Sequence, residues 1–175
     1  GFSPVTGASC AGGSTSTGPL AGTDGTIANI NTLSSYSGEE VGEGANDVKV
    51  AGFEVEASND GDVAIKSMKV TFDPTGNDSG DSDHMDDYVD SVSIWMGSTK
   101  VGSADADDFS ENSNDTASKV VTLSGATVKS DQTEKFYITV DAVSNLDSGD
   151  IDGTVDYSVG LENVRYEDGS GVVTT

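Results

Sequence analysis

The sequence predicts an all-β fold, a two-sheet β-sandwich of about seven to nine strands behind a flexible N-terminal arm, and three observations carry that expectation. Apolar residues alternate with polar ones in short runs, the period-2 pattern of strands with one buried face. The runs are separated by segments of Gly, Ser, Asn and Asp that supply turn chemistry. No stretch repeats apolar residues at i, i+3, i+4 and i+7 over three turns, so little or no helix is expected.

The chain divides into three parts. Residues 1–25 are dominated by Gly, Ser and Thr and carry one charge, Asp24, so they cannot bury enough surface to fold alone and read as a linker or arm. Residues 26–44 hold a β-prone segment, TIANINTL, before a Gly/Glu-rich stretch; it is either the first strand of the domain or a strand lent to a neighbour through Ile27, Ile30 and Leu33. Residues 45–175 form the sandwich domain, a size that suits one core.

Within that domain, residues 47–58 alternate Val48 and Val50, then Phe53, Val55 and Ala57, so the inward phase slips at Ala51-Gly52, where a β-bulge is expected. After Asn59-Asp60-Gly61, a turn signal, residues 62–72 carry Val63 and Ile65, then Met68, Val70 and Phe72, with a second slip at Lys66-Ser67. These two segments are expected to form a hairpin. Strands follow at 88–96, 99–104 and 118–123, with acidic loops at 73–87 and 105–115. The clearest strand is 134–142, with Phe136, Ile138, Val140 and Ala142 facing one way and Tyr137 and Thr139 the other. Segments 153–161, 164–166 and 172–173 complete the set.

Two stretches carry a resemblance. FEVEASNDGDVAIKSMKVTF (53–72) resembles the opening hairpin of immunoglobulin-like modules in bacterial and archaeal surface proteins, and VVTLSGATVKSDQTEKFYITVDA (120–142) resembles their recurrent ending. The likeness spans about residues 46–143. It implies an immunoglobulin-like sandwich of the kind used in surface layers, surface filaments and adhesins, with the Gly/Ser/Thr-rich start as an interdomain linker and with no active site.

Charge narrows the partners. Against 8 basic residues stand 31 acidic ones, a net charge of −23, and such a surface repels nucleic-acid phosphates and anionic lipid headgroups. No apolar run reaches the length of a membrane helix, so no direct membrane insertion is expected. A start at Gly1 reads as a processed product or a segment of a longer protein, and with the composition it suggests an extracellular, cell-surface location. The single cysteine, Cys10, lies among Gly, Ser and Thr, without cationic neighbours to activate it.

Chemistry is sparse. The one histidine, His84, lies in an Asp-rich loop and reads as solvated, no Gly-x-Ser-x-Gly elbow or phosphate loop is present, and no zinc motif occurs. The abundant carboxylates sit in loops that cannot supply the apolar burial acid-base catalysis needs, so no enzyme is expected. Calcium is the cofactor that hard oxygen ligands in flexible loops would take. Candidate loops are Asp78, Asp81, Asp83, Asp86 and Asp87; Asp105, Asp107, Asp108 and Glu111; and Asn145, Asp147, Asp150 and Asp152. Trp95 is expected to point away from the Val92, Ile94, Met96 row, as a sugar or protein contact or packed across strands on Tyr137. Asn77-Asp-Ser79 and Asn114-Asp-Thr116 match the glycosylation sequon. The expected function is that of a structural subunit of a prokaryotic surface layer or filament, its partners further copies of itself in an oligomer or polymer. The alternative is an adhesin or carbohydrate-binding module with a glycan or cell-wall contact.

Overall fold

The computed structural model describes residues 19–75, 82, 84–146 and 155–175. Cys10, the Asn77 sequon and Asp78, Asp81, Asp83, Asp147, Asp150 and Asp152 lie outside the described residues.

The alternating runs become strands β1 (Ile27–Thr32), β2 (Val48–Ala57), β3 (Val63–Pro74), β4 (Val89–Met96), β5 (Thr99–Asp105) and β6 (Ser110–Glu111). After these come β7 (Ala117–Thr122), β8 (Thr127–Val128), β9 (Thr133–Ala142), β10 (Tyr157–Glu167) and β11 (Val173–Thr174). The chain is all-β: the helical content among the described residues is three single 3-10 turns, at Ser34–Tyr36, Met85–Asp87 and Ala106–Asp108. Two antiparallel sheets result, one ordered β1-β2-β9-β4-β5, the other β11-β10-β3-β7-β6 with β8 also on β3.

The inward faces of both sheets meet in one core. Phe53, Val55, Val92, Ile94, Phe136, Ile138 and Val140 come from the first sheet, and Val63, Ile65, Met68, Val70, Phe72 and Val121 from the second. Each such side chain contributes about 1.5–3 kcal/mol when fully buried, so these strands, rather than the loops, hold the fold together.

Three strand expectations need correction. The segments 47–58 and 62–72 do not form a hairpin: β2 lies between β1 and β9, while β3 lies between β10 and β7 in the other sheet. The Asn59-Asp60-Gly61 turn carries the chain across the core, and both edges of each strand are taken by other partners. The first bulge sits at Val50, between the Lys49–Thr139 and Ala51–Ile138 pairs, which returns Ala51 to the inward phase of Phe53 and Val55. Segments 153–161 and 164–166 were expected as two strands, yet β10 runs unbroken from Tyr157 to Glu167, with Glu162 extruded as a bulge. The slip at Lys66 does appear as a bulge, between the Ser67–Arg165 and Ile65–Tyr166 pairs. The two-residue strands β6 and β8 are too short to show a period.

The root of the N-terminal arm is packed. Asp62, only 2% exposed, accepts hydrogen bonds from the Ala21 N–H at 3.0 Å, the Ser130 N–H at 2.9 Å and the Lys129 ammonium at 2.8 Å. The Asp62 N–H in turn donates to the Ala21 carbonyl at 2.8 Å. Gly22, at φ 78°, crosses Gly61 in an isolated bridge. A Cβ on Gly22 would run into the backbone of Asp60 and Gly61, and one on Gly169 into the Gly22 carbonyl, so the slot admits backbone alone.

Candidate functional site

The two acidic loops on either side of β4 and β5 converge at one end of the molecule. In the first, the Met85 side chain is buried at the start of a 3-10 turn. That anchor leaves His84 and Asp86 exposed. In the second, Ala106 is buried in the Ala106–Asp108 turn and Phe109 packs edge-on against Phe72 at 5.8 Å, which delivers Glu111 into β6 opposite Ala117. His84 Nδ1 and Glu111 Oε2 stand 2.6 Å apart, and Glu111 Oε1 accepts the Met85 N–H at 3.4 Å. Donor atoms of His84, Asp86 and Glu111 lie within 4.8 Å of one another, at the mouth of a cleft of about 340 Å³ that Met85, Asp87 and Phe109 also line.

Ser82 braces the first loop. Its hydroxyl donates to Asp87 at 2.5 Å and accepts the His84 N–H at 3.1 Å, and its carbonyl accepts the Tyr88 hydroxyl at 2.9 Å. The Glu111 carboxylate holds the His84 imidazolium, raising its pKa above the ordinary 6.5, with Asp87 and Asp86 adding to the effect against a small burial penalty. The histidine is therefore exposed, as expected, but it is not merely solvated.

One imidazole nitrogen with two carboxylates is a donor set for a divalent cation. The nitrogen suits zinc-class ions, whereas Ca²⁺ takes six to eight oxygens. At 2.6 Å the His84–Glu111 contact is a hydrogen bond held by a proton, because two ligands on one zinc ion stand about 3 Å apart. A bound ion would replace that proton.

Of the acidic residues singled out from sequence, Asp86 and Glu111 enter this cluster and Asp87 lines its cleft. Asp105 ends β5, and Asp107 and Asp108 are exposed on the neighbouring turn, where Asp108 pairs with Lys119 at 3.5 Å. The sequence gives His84 as a solvated loop residue because its partner, Glu111, lies 27 residues away.

The outer face of the first sheet gathers three aromatic residues, Tyr36, Trp95 and Tyr137. Trp95 points away from the core, directly opposite Tyr137, and its indole N–H donates to the Thr139 hydroxyl at 3.0 Å. The 3-10 turn after β1 folds Tyr36 back over Gly52 and edge-on to Tyr137 at 5.5 Å. A Cβ on Gly52 would come within 2.9 Å of the Tyr36 ring and 3.1 Å of Leu33 Cδ1. Lys49 caps Tyr137, its ammonium 3.9 Å from the ring centroid. Ile27 packs partly against the core, Leu33 is half-buried, and Ile30 is 39% exposed. Among the described residues no helix is long and apolar enough to cross a membrane. Compared with known proteins, the chain is matched by no family model, no curated protein and no solved structure.

Proposed function

We propose that the chain is a non-catalytic structural module of an extracellular prokaryotic surface assembly, a surface layer or filament, built on an immunoglobulin-like sandwich and linked by exchange of β1 between copies. One observation carries this reading: β1 is an edge strand that pairs with β2 alone and leaves five of its six side chains exposed. Detaching it uncovers little apolar surface, and the edge of β2 it vacates has the right register for β1 of a second copy. Removing residues 1–33 should give folded protein that no longer forms arrays or fibres under the electron microscope. Persistence of those arrays would refute strand exchange. A divalent cation at His84, Asp86 and Glu111, calcium or a zinc-class ion, belongs to the same reading, and imaging with and without chelator tests it.

The row of Tyr36, Tyr137 and Trp95 supports a second reading, an adhesin or carbohydrate-binding module. Glycan-array binding that disappears in Trp95→Ala while the fold persists would favour it.

A further inference from the structure

With almost four acidic residues for every basic one, a cation on this chain has carboxylates within easy reach. Six of the eight basic side chains have found one: Lys66, Lys69, Lys100, Lys119, Lys129 and Lys135. Lys49 instead sits on the Tyr137 ring. Arg165, the chain's single arginine, has no ion-pair partner among the described residues.

Register places it. Arg165 of β10 stands opposite Ser67 of β3, which stands opposite Thr122 of β7; the next row is Asn163, Lys69 and Val120. Their neighbours Met68, Val70, Val121 and Val164 point into the core, so these two rows form the outer face of the second sheet. Ser67, Lys69, Val120, Asn163 and Arg165 line a shallow groove of about 210 Å³ with Thr175 at its rim. Val120 is 55% exposed in the middle of its strand. The groove thus combines a guanidinium with no ion-pair partner among the described residues, an ammonium shared with Glu162, hydroxyl and amide donors, and one bare apolar side chain.

We infer that this face is a lateral docking surface for an acidic segment of a second copy of the chain. The inference rests on the assembly reading above and adds to it a contact independent of β1. Charge complementarity selects the occupant. A chain of net charge −23 presents carboxylates to its neighbours in almost any orientation, and a guanidinium binds a carboxylate through two parallel hydrogen bonds. The aliphatic stem of the incoming residue covers Val120. General repulsion between copies is screened beyond about 8–10 Å at physiological salt, which leaves the local pairing to decide the contact. A face that meets a different surface of its neighbour makes a heterologous contact, which propagates instead of closing on a dimer. Strand exchange then builds threads, and the Arg165 face packs threads side by side.

The test images the wild-type chain, Arg165→Glu, Lys69→Glu/Arg165→Glu and a form lacking residues 1–33, with circular dichroism confirming that each retains its strands. Wild type should form laterally packed arrays, and the charge-reversed forms should form single threads, with lateral association weakened at least tenfold in sedimentation. Arrays in the charge-reversed forms identical to wild type would overturn the inference and leave the assembly reading intact. Wild type that stays monomeric would overturn both. Polygalacturonate bound by monomeric wild type and lost in Arg165→Glu would make the occupant an acidic glycan and overturn the second-copy assignment.

Discussion

The Asp62 and Glu111 carboxylates each face a basic side chain, and their surroundings give them opposite roles. Asp62 is buried where the arm enters the sandwich, its oxygens taken by two backbone N–H groups and Lys129. Glu111, with a side chain 24% exposed, faces an imidazole that is 61% exposed across an open cleft. The first is a fastening: its carboxylate is buried, and its part-buried bonds tie together residues 21, 62, 129 and 130. The second is a contact that water, salt or a metal ion can replace at little cost. Burial, more than residue type, decides which acidic groups in this chain are structural.

The contrast is broken most severely at Asp62. Asp62→Ala should lower unfolding free energy by about 2–4 kcal/mol in urea titration, since it strands two N–H donors and removes a buried ion-pair partner. Proteolysis should then cut near residues 19–25 before the rest of the domain. Gly169→Ala, which forces a Cβ against the Gly22 carbonyl in the same slot, should cost about 1–3 kcal/mol by the same measurement. At the open cluster, Glu111→Gln should change stability by less than about 1 kcal/mol, read as a small shift in melting temperature that vanishes at high salt.

Opposite pH responses sharpen the comparison. Burial pushes the Asp62 pKa up, but Lys129 and the Ala21 and Ser130 N–H groups outweigh it, so the folded value lies below the ordinary 3.8. Its stabilisation is therefore present above pH 3.8 and fades as pH falls through the lower folded value. His84 has a folded pKa above 6.5, so its contribution is complete below pH 6.5 and fades as pH rises through that higher value. Melting temperatures across the two windows should show Asp62→Asn flattening the acid limb and His84→Gln flattening the smaller slope above pH 6.5.

Much of the fold was legible in the sequence for a plain reason: strands such as 134–142 bury one face completely, and a period of two records that in the residue order. The Lys66 bulge was legible too, because it shifts the apolar phase. What the sequence concealed depends on partners distant along the chain. Nothing local distinguishes a turn that makes a hairpin from one that crosses the core at Asn59-Asp60-Gly61, since the choice depends on β9 and β10 taking the edges of β2 and β3. His84 and Glu111, Asp62 and Ala21, and Arg165 and Ser67 are likewise joined by topology. The acidic loops were visible as composition, and their convergence was not.

The central claim, that β1 leaves its own β2 for that of a neighbour, is tested most directly by tying it down. Asn31 and Glu54 face each other across β1 and β2, so a Cys10→Ser chain carrying Asn31→Cys and Glu54→Cys can be stapled within one copy by oxidation. The account predicts that the oxidised protein stays monomeric under the electron microscope and assembles once reduced. Arrays formed equally by the oxidised, intramolecularly stapled protein would contradict it.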